Sequence, residues 1–453
     1  MKSIWQHKGG ILFLLALVFR LPFLGEGYGR EFDAWSNILN AKILSETGVY
    51  EVSRLPGHPL QELIYSLIWS LTESPYPFNF LTALFSAWAV YSVYHILCWY
   101  KVERSFEWAL AFNFIPVFFI ASTSAIDYNF ALAFIVGAFL QFLKGRYALA
   151  GLLIGLATGF RISSIGFLAP FILILPYRQW LKAWPMVLVT LITAASAYSM
   201  PYLTYGWDFL DFHKPPFPGW ASVLYKLGLG IWGVPLLLAL GISLPNFFKQ
   251  INISSLSKGF SLELVLLIII AMQLVVFLRL PFKAEFFIPA LPFIMLLWAL
   301  RAPKWLSKYI HYLALSSLLF FGFDYADPYR GAEPLDSAIY FEAGSKTLFM
   351  SPFQGPLSID QSKRRVKSNT VNRAISRLTE LEEPVWLVAG WYWPELQLKM
   401  GESVHYFDHY STKEELRAAQ KAGLRILYLP EIDQQNALMH EGVHLQAYGE
   451  PLL

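Results

Sequence analysis

Between residues 30 and 61 the chain reads REFDAWSNILNAKILSETGVYEVSRLPGHPLQ, which gathers Arg30, Glu31, Asp33, Lys42, Glu46, Glu51, Arg54 and His58. Carboxylates in such a stretch can take protons, and the cations beside them can hold anionic groups. Only 15% of the 453 residues are charged, so this is a dense polar island between apolar segments. At a membrane surface such an island is either a solvated loop or a reaction site, and the rest of the chain has to decide.

Other ionisable residues stand close to apolar runs. A charge at membrane depth costs roughly 2.5–3.5 kcal/mol on insertion scales, so each of them raises a functional question. Asp33 precedes a run with helical periodicity from Ala34 to Leu44, where it could cap a surface helix as readily as act in chemistry. Asp127 in ASTSAIDYNF could equally cap the next span. Arg161 in ATGFRISS lies between two short apolar runs, a pattern of binding sites at membranes, and could instead snorkel from a helix end. His58 and Glu62 are four residues apart, but a metal centre needs further ligands that the sequence does not place nearby. His213 sits in an aromatic-flanked loop, and Lys283 with Glu285 opens a later span, as an ion pair or as part of a site.

The elements that must position these residues are membrane spans. The chain is 56% hydrophobic, with a mean hydropathy of +0.44, too apolar for a soluble protein of this length. About eleven runs approach the ~20 residues that cross a bilayer: 9–24, 78–99, 106–122, 126–143, 147–160, 162–177, 184–204, 223–246, 260–279, 284–300 and 305–323. The N-terminal run lacks a small-residue cleavage site and continues into Arg20 and Pro22, so it reads as a retained first span. A net charge of +3 gives no reason to expect nucleic acid as a partner. The single cysteine, Cys98, leaves no disulfide framework.

A further apolar segment, 59–72, sets the parity of everything after it. If it does not cross, Lys2 and Lys8, Lys101 and Arg104, Lys144 and Arg146, Arg178 and Lys182, Lys249 and Lys258, and Arg301, Lys304 and Lys308 all fall on the cytoplasmic side. The segment therefore reads as an interface helix on the outer face, opened by Pro-Gly-His-Pro. The island 25–58, Asp127, Arg161 and the pair Lys283/Glu285 then share the outer face, with the N-terminus cytoplasmic and the C-terminal domain extracytoplasmic.

After residue 323 the composition turns polar. Residues 324–360 read as a Pro/Gly-rich connector. Residues 361–453 read as a small α/β domain: strands at 384–390 and 424–430, with a helix between them opened by Ser411 and Glu414 as a capping box and stopped at Gly423. The basic stretch 362–377 reads as a solvated helix face. The expected fold is thus an all-α polytopic membrane unit over 1–323 followed by a small α/β extracytoplasmic domain.

In order along the chain stand FRLPFL closing the first span, the loop with Asp33, Gly48-Val49-Tyr50, LPGHPL, SAIDYNFALAF with Asp127, GLLIGLATGFRISS and KAEFFIPALPFIMLL. This ordered set resembles the integral-membrane glycosyltransferases of the GT-C fold, in particular the protein O-mannosyltransferase and aminoarabinose-transferase branches. The likeness runs over roughly residues 10–300, by order of elements more than by identity. Two positions depart from the family: Asp33 is followed by Ala34, with Glu31 upstream, where the family often has Asp-Glu. The Arg-Tyr before the late span stands here as Glu285-Phe286.

The resemblance implies transfer of a sugar from a polyprenyl-phosphate donor to a glycan, lipid or protein acceptor at the outer face of a plasma (inner) membrane. Phosphate already leaves well, so the reaction needs a base for the acceptor proton and cations for the phosphate. Asp33, or Glu31, would be the base and Arg161 the phosphate clamp. Asp127 would position base or acceptor, and His58, Lys283 and Glu285 would touch sugar or phosphate. No cofactor is implied, and the first loop holds no DxD pair. The competing classes are a transporter or flippase, which would tend to show midplane charges and inverted repeats, and a non-catalytic scaffold.

Overall fold

The computed structural model describes residues 2–211, 217–249, 260–329, 331–343, 346–401 and 403–453; His213 and Lys258 lie outside the described residues. The chain is mostly helical, and among the described residues the small sheets lie in its C-terminal third. The first eight helices are α1 Lys2–Val18, α2 Phe32–Thr47, α3 Pro59–Trp69, α4 Pro75–Trp99, α5 Ser105–Asn113, α6 Pro116–Ala121, α7 Tyr128–Leu143 and α8 Tyr147–Phe160. They are followed by α9 Leu168–Leu173, α10 Trp184–Ala197, α11 Ser199–Tyr205, α12 Trp220–Tyr225, α13 Ile231–Lys249, α14 Leu262–Arg279, α15 Leu291–Arg301 and α16 Lys304–Leu319.

Among the described residues five helical stretches are long and apolar enough to cross a membrane: Pro75–Trp99, Tyr177–Ala197, Trp220–Pro245, Leu262–Arg279 and Ala284–Arg301. That is fewer than the eleven apolar runs, because several runs are cut into shorter helices. Pro116 lacks an N–H and disfavours helical geometry in the residue before it, so 105–121 becomes α5 and α6 rather than one helix. The first run ends as α1 at Val18 and passes into a single 3-10 turn, Leu21–Phe23, around Pro22. The length and apolar character of these helices make the chain a multi-pass membrane protein.

Segment 59–72 folds as α3, only 11 residues long. At 1.5 Å per residue it spans roughly 16 Å, about half of a ~30 Å hydrocarbon core. It lies against α2 instead: Tyr65 and Trp69 of α3 bury into one cluster with Trp35 and Ile38 of α2, Phe78 of α4 and Phe160 of α8.

The bundle has two chemically distinct ends. The end where α7 begins at Tyr128, α8 stops at Phe160 and α14 stops at Arg279 also carries α2 and α3. At the other end lie Lys101 and Arg104 after α4, Lys144 and Arg146 between α7 and α8, and Arg301, which bonds Glu263 at 2.8 Å. Helix α8 is set by close approach. A Cβ on Gly151 would run into the backbone of Met186, and one on Gly155 into Thr193, so α10 packs directly on this glycine face. Thr190 Oγ1 donates to the Gly151 carbonyl across the same contact at 2.9 Å.

Past α16 the chain enters a three-stranded antiparallel sheet, β1 Gly322–Tyr325, β2 Ile339–Ala343 and β3 Lys346–Ser351, in the order β1-β3-β2. The stretch expected to be a connector thus holds most of a sheet and the start of the next helix, α17 Pro356–Thr379. Beyond it β4 Val385–Val388, β5 Tyr406–Asp408, β6 Arg425–Tyr428 and β7 Glu450–Pro451 pair in parallel in the order β5-β4-β6-β7. Helices α18 Trp393–Met400, α19 Lys413–Lys421 and α20 Ile432–Met439 complete the unit. It has its own core, in which Val371 and Leu378 of α17 meet Leu387, Leu416 and Leu427. The two expected strands are β4 and β6, as neighbours. The capping box sits one residue later than expected, on Thr412 and Glu415, because Ser411 instead bonds Asp408 and Asn436.

Candidate active site

Asp33 and Asp127 each start a helix, yet neither side chain caps one. The N-cap position of α2 is Glu31, and Asp33 sits in the first turn. Asp127 occupies the N-cap position of α7 without a side-chain cap bond. Both carboxylates face arginines. Asp127 is fully buried, which an ionised carboxylate tolerates only when paired.

The pairing forms one chain of alternating charge. Arg161 lies 2.5 Å from Asp127 Oδ2. Arg54 lies 3.2 Å from Asp127 Oδ1 and at the same time pairs with Asp33. Lys283 Nζ lies 2.7 Å from Asp33 and 3.0 Å from Glu31. Arg30 bonds Glu31 at 2.7 Å and lies 3.5 Å from Asp360 on α17. In order the chain runs Arg161, Asp127, Arg54, Asp33, Lys283, Glu31, Arg30, Asp360. It joins the start of α2, the loops before α3 and α7 and the segment before the 3-10 turn Ala284–Ala290 to the end of α8 and the face of α17.

Each member is set by its own segment. Arg161 leaves α8 in extended geometry, and its guanidinium lies over Tyr128 at 4.4 Å and Phe286 at 5.4 Å from the ring centres. The loop of Arg54 is tied down by Glu62 of α3, which accepts from Tyr50 Oη at 2.6 Å and from the Ser53 N–H at 3.0 Å. Lys283 does not pair with Glu285; it goes to Glu31 and Asp33, and Glu285 lies 3.9 Å from Arg30. Among the described residues no group of three His, Cys, Asp or Glu side chains could hold a metal ion.

His58 is buried against this network. Its Nδ1 lies 2.6 Å from the Phe160 carbonyl, so Nδ1–H donates there, and Nε2 accepts from Arg54 Nε at 3.0 Å. That bonding pattern is the neutral ring. Burial, and after it the charges of Arg54 and Arg161, outweigh Asp127 and lower its pKa to about 4. At Glu31 burial favours the neutral acid, but Lys283 and Arg30 outweigh it and hold the carboxyl well below its usual range.

The seven residues to which the resemblance gave site roles, Glu31, Asp33, His58, Asp127, Arg161, Lys283 and Glu285, come together at one end of the bundle, while His213 lies outside the described residues. Sequence reasoning did not single out Arg54, which bridges the two aspartates, or Arg30 and Asp360. The signal for Arg54 was present: it lies in the same island, four residues before His58. The signal in α17 was read the wrong way. The basic stretch expected to be a solvated helix face buries Arg364 and Lys367 against the membrane unit.

No family model matches the chain, and no curated protein matches it in sequence. In shape it is similar to two crystal structures of ArnT from Cupriavidus metallidurans. One, bound to undecaprenyl phosphate, gives a TM-score of 0.52 at 12% identity, covering 98% of this chain and 89% of ArnT. The other, in the apo state, gives 0.52 at 13% identity, covering 97% and 88%. The chain has the GT-C fold. The match extends over the C-terminal unit as well as the helices, so the GT-C fold here includes the surface from which Asp360 reaches the charge chain.

Proposed function

We propose that this protein is a membrane glycosyltransferase that moves a sugar from a polyprenyl-phosphate donor to an acceptor hydroxyl or amine. The observation that carries the reading is the chain of alternating charge at one end of a GT-C bundle, in which Asp33 lies between Arg54 and Lys283. The ArnT structure bound to undecaprenyl phosphate supports a lipid-linked donor.

The reaction breaks the bond between the anomeric carbon and a phosphate oxygen. It forms one from that carbon to the acceptor oxygen or nitrogen. Asp33 takes the acceptor proton, and the lipid phosphate leaves with the bonding electrons. Arg54 and Lys283 weaken Asp33 as a base while they hold it. An arriving phosphate competes for both cations, which raises the basicity of Asp33 as the donor binds. Arg161, fixed by Asp127 and two rings, supplies a third positive charge to the developing phosphate. The positive charges are preorganised by the protein rather than drawn from solvent.

We also propose that residues 1–323 form the transmembrane unit and 361–453 an extracytoplasmic domain, with the N-terminus cytoplasmic in a plasma membrane. Lys101, Arg104, Lys144, Arg146 and Arg301 at the end opposite the charge chain support this orientation.

The test is turnover in detergent with radiolabelled polyprenyl-phosphate sugars, following release of label from lipid. Wild type is expected to release label and Asp33→Asn to release it about 10²–10⁴-fold more slowly. Full activity in Asp33→Asn would remove Asp33 as base. Activity only in sealed vesicles across a gradient would replace the transferase by a transporter.

A further inference from the structure

Helix α17 belongs to the core of the C-terminal unit through Val371 and Leu378. Its first half turns the other way. Asp360, Arg364 and Lys367 share one face at spacings of four and seven residues and are nearly or fully buried, at 2%, 5% and 8% exposure. Arg364 bonds Asp360 through Nε at 2.8 Å. Its other two nitrogens donate to the Thr123 carbonyl at 3.0 Å, to Thr123 Oγ1 at 3.1 Å and to Ser124 Oγ at 2.8 Å. Those residues form the turn that leads into Asp127. Asp360 reaches Arg30 at 3.5 Å, and Lys367 donates to the Arg30 carbonyl at 3.2 Å. Arg30 adjoins Glu31 and, two residues on, Asp33. The two loops also touch directly, where the Ala125 N–H donates to the Tyr28 carbonyl at 2.7 Å.

We propose that α17 is a positioning element of the active site, in which Asp360 and Arg364 together fix the loop of Glu31 and Asp33 against the turn of Asp127. The proposal rests on the transferase reading above. Apolar contact alone could hold two units together as firmly as a buried ion pair. Charge-assisted bonds from a planar guanidinium add direction and register, which apolar contact does not. The units also dock away from these loops, where Leu357 at the start of α17 packs into the core of the membrane unit. Loss of Asp360 therefore loosens the loops without undocking the domain. Since a shift of ~1 Å in a reacting group can cost ~100-fold in rate, the clamp acts on turnover more than on donor binding.

The test uses full-length protein in detergent and the variants Asp360→Asn, Arg364→Lys and Asp360→Glu. Arg364→Lys keeps a cation beside Asp360 but loses the fork on Thr123 and Ser124. In Asp360→Asn and Arg364→Lys, kcat is expected to fall ~10–100-fold while KM for the lipid-linked donor moves less than ~3-fold. Asp360→Glu should recover most of kcat. In parallel, hydrogen exchange should accelerate in the amides of 28–34 and 122–128 and not elsewhere. Wild-type kcat and protection in both folded variants would overturn the proposal. So would a uniform rise of exchange through all helices, which would make Asp360 a plain stability contact. The exchange measurement needs no donor. If wild type turns over no lipid-linked sugar, the transferase reading falls and exchange alone decides whether α17 clamps the two loops.

Discussion

Lys283 Nζ lies 2.7 Å from Asp33 Oδ2, although 250 residues separate them in sequence. With Arg54 on the same carboxylate, this contact places an anionic side chain between two cations from different segments. An acidic group so held is a poor base until something else takes the cations, and a phosphate can do so.

Asp33→Asn keeps the shape of that contact and removes its charge. Label release from a polyprenyl-phosphate sugar is expected to drop by about 10²–10⁴-fold, the range for loss of a general base. Size-exclusion profile and helix content should match wild type. Retained turnover with the same donor would move the base to Glu31, to be checked by Glu31→Gln.

Arg54→Lys tests the bridge between Asp33 and Asp127. A lysine keeps the charge but has no planar fork, so it cannot bond Asp33, His58 and Asp127 together. Turnover is expected to fall ~10–100-fold with a higher KM for the donor, as for loss of a preorganised cation. An unchanged KM would place the phosphate away from Arg54.

His58 gives a pH dependence with a definite sign. Its pKa is about 4 in the folded chain, below the ordinary 6.5. Above pH 6.5 the ring is neutral in both folded and unfolded states and contributes no slope. Between 6.5 and 4 the unfolded chain binds a proton that the folded one refuses, so stability falls as the pH falls, by on the order of 3 kcal/mol at most. Thermal unfolding of wild type should show this loss, and His58→Gln should flatten it. Equal slopes in the two proteins would mean that another group carries it.

Gly155→Val probes how Arg161 is delivered. The new side chain would meet Thr193 and the Thr190 carbonyl, forcing α8 away from α10. Overpacking of this kind costs about 1–3 kcal/mol. The midpoint of unfolding in detergent should fall, and turnover should fall with it. Gly10→Ala, which has open space around it, should change neither.

Much of the candidate site was legible because its residues break local rules. Asp33, Asp127, Arg161 and Lys283 are charges beside apolar runs, and such charges need a reason whatever the fold. Arg54 was hidden because an arginine in a polar loop looks like any other until its partners are known. Residues 362–377 misled for the opposite reason: a basic helix is solvated by default, and only the tertiary contact shows that Arg364 and Lys367 are buried. The apolar runs around Pro22 and Pro116 are broken into shorter helices, because hydropathy measures apolar length and takes no account of a missing N–H.

The membrane class, the polar C-terminal unit with β4 and β6, and the concentration of unusual charges around the ends of spans are all readable along the chain. Hydropathy, periodicity and turn residues act over a few neighbours, so they can be read in order along the chain. Which charge meets which depends on the packing. The links from Lys283 to Asp33 and from Lys367 to Arg30 close over 250 and 337 residues. Ion pairing acts through space, and its partners are chosen by how α2, α3, α7, α8 and α17 pack.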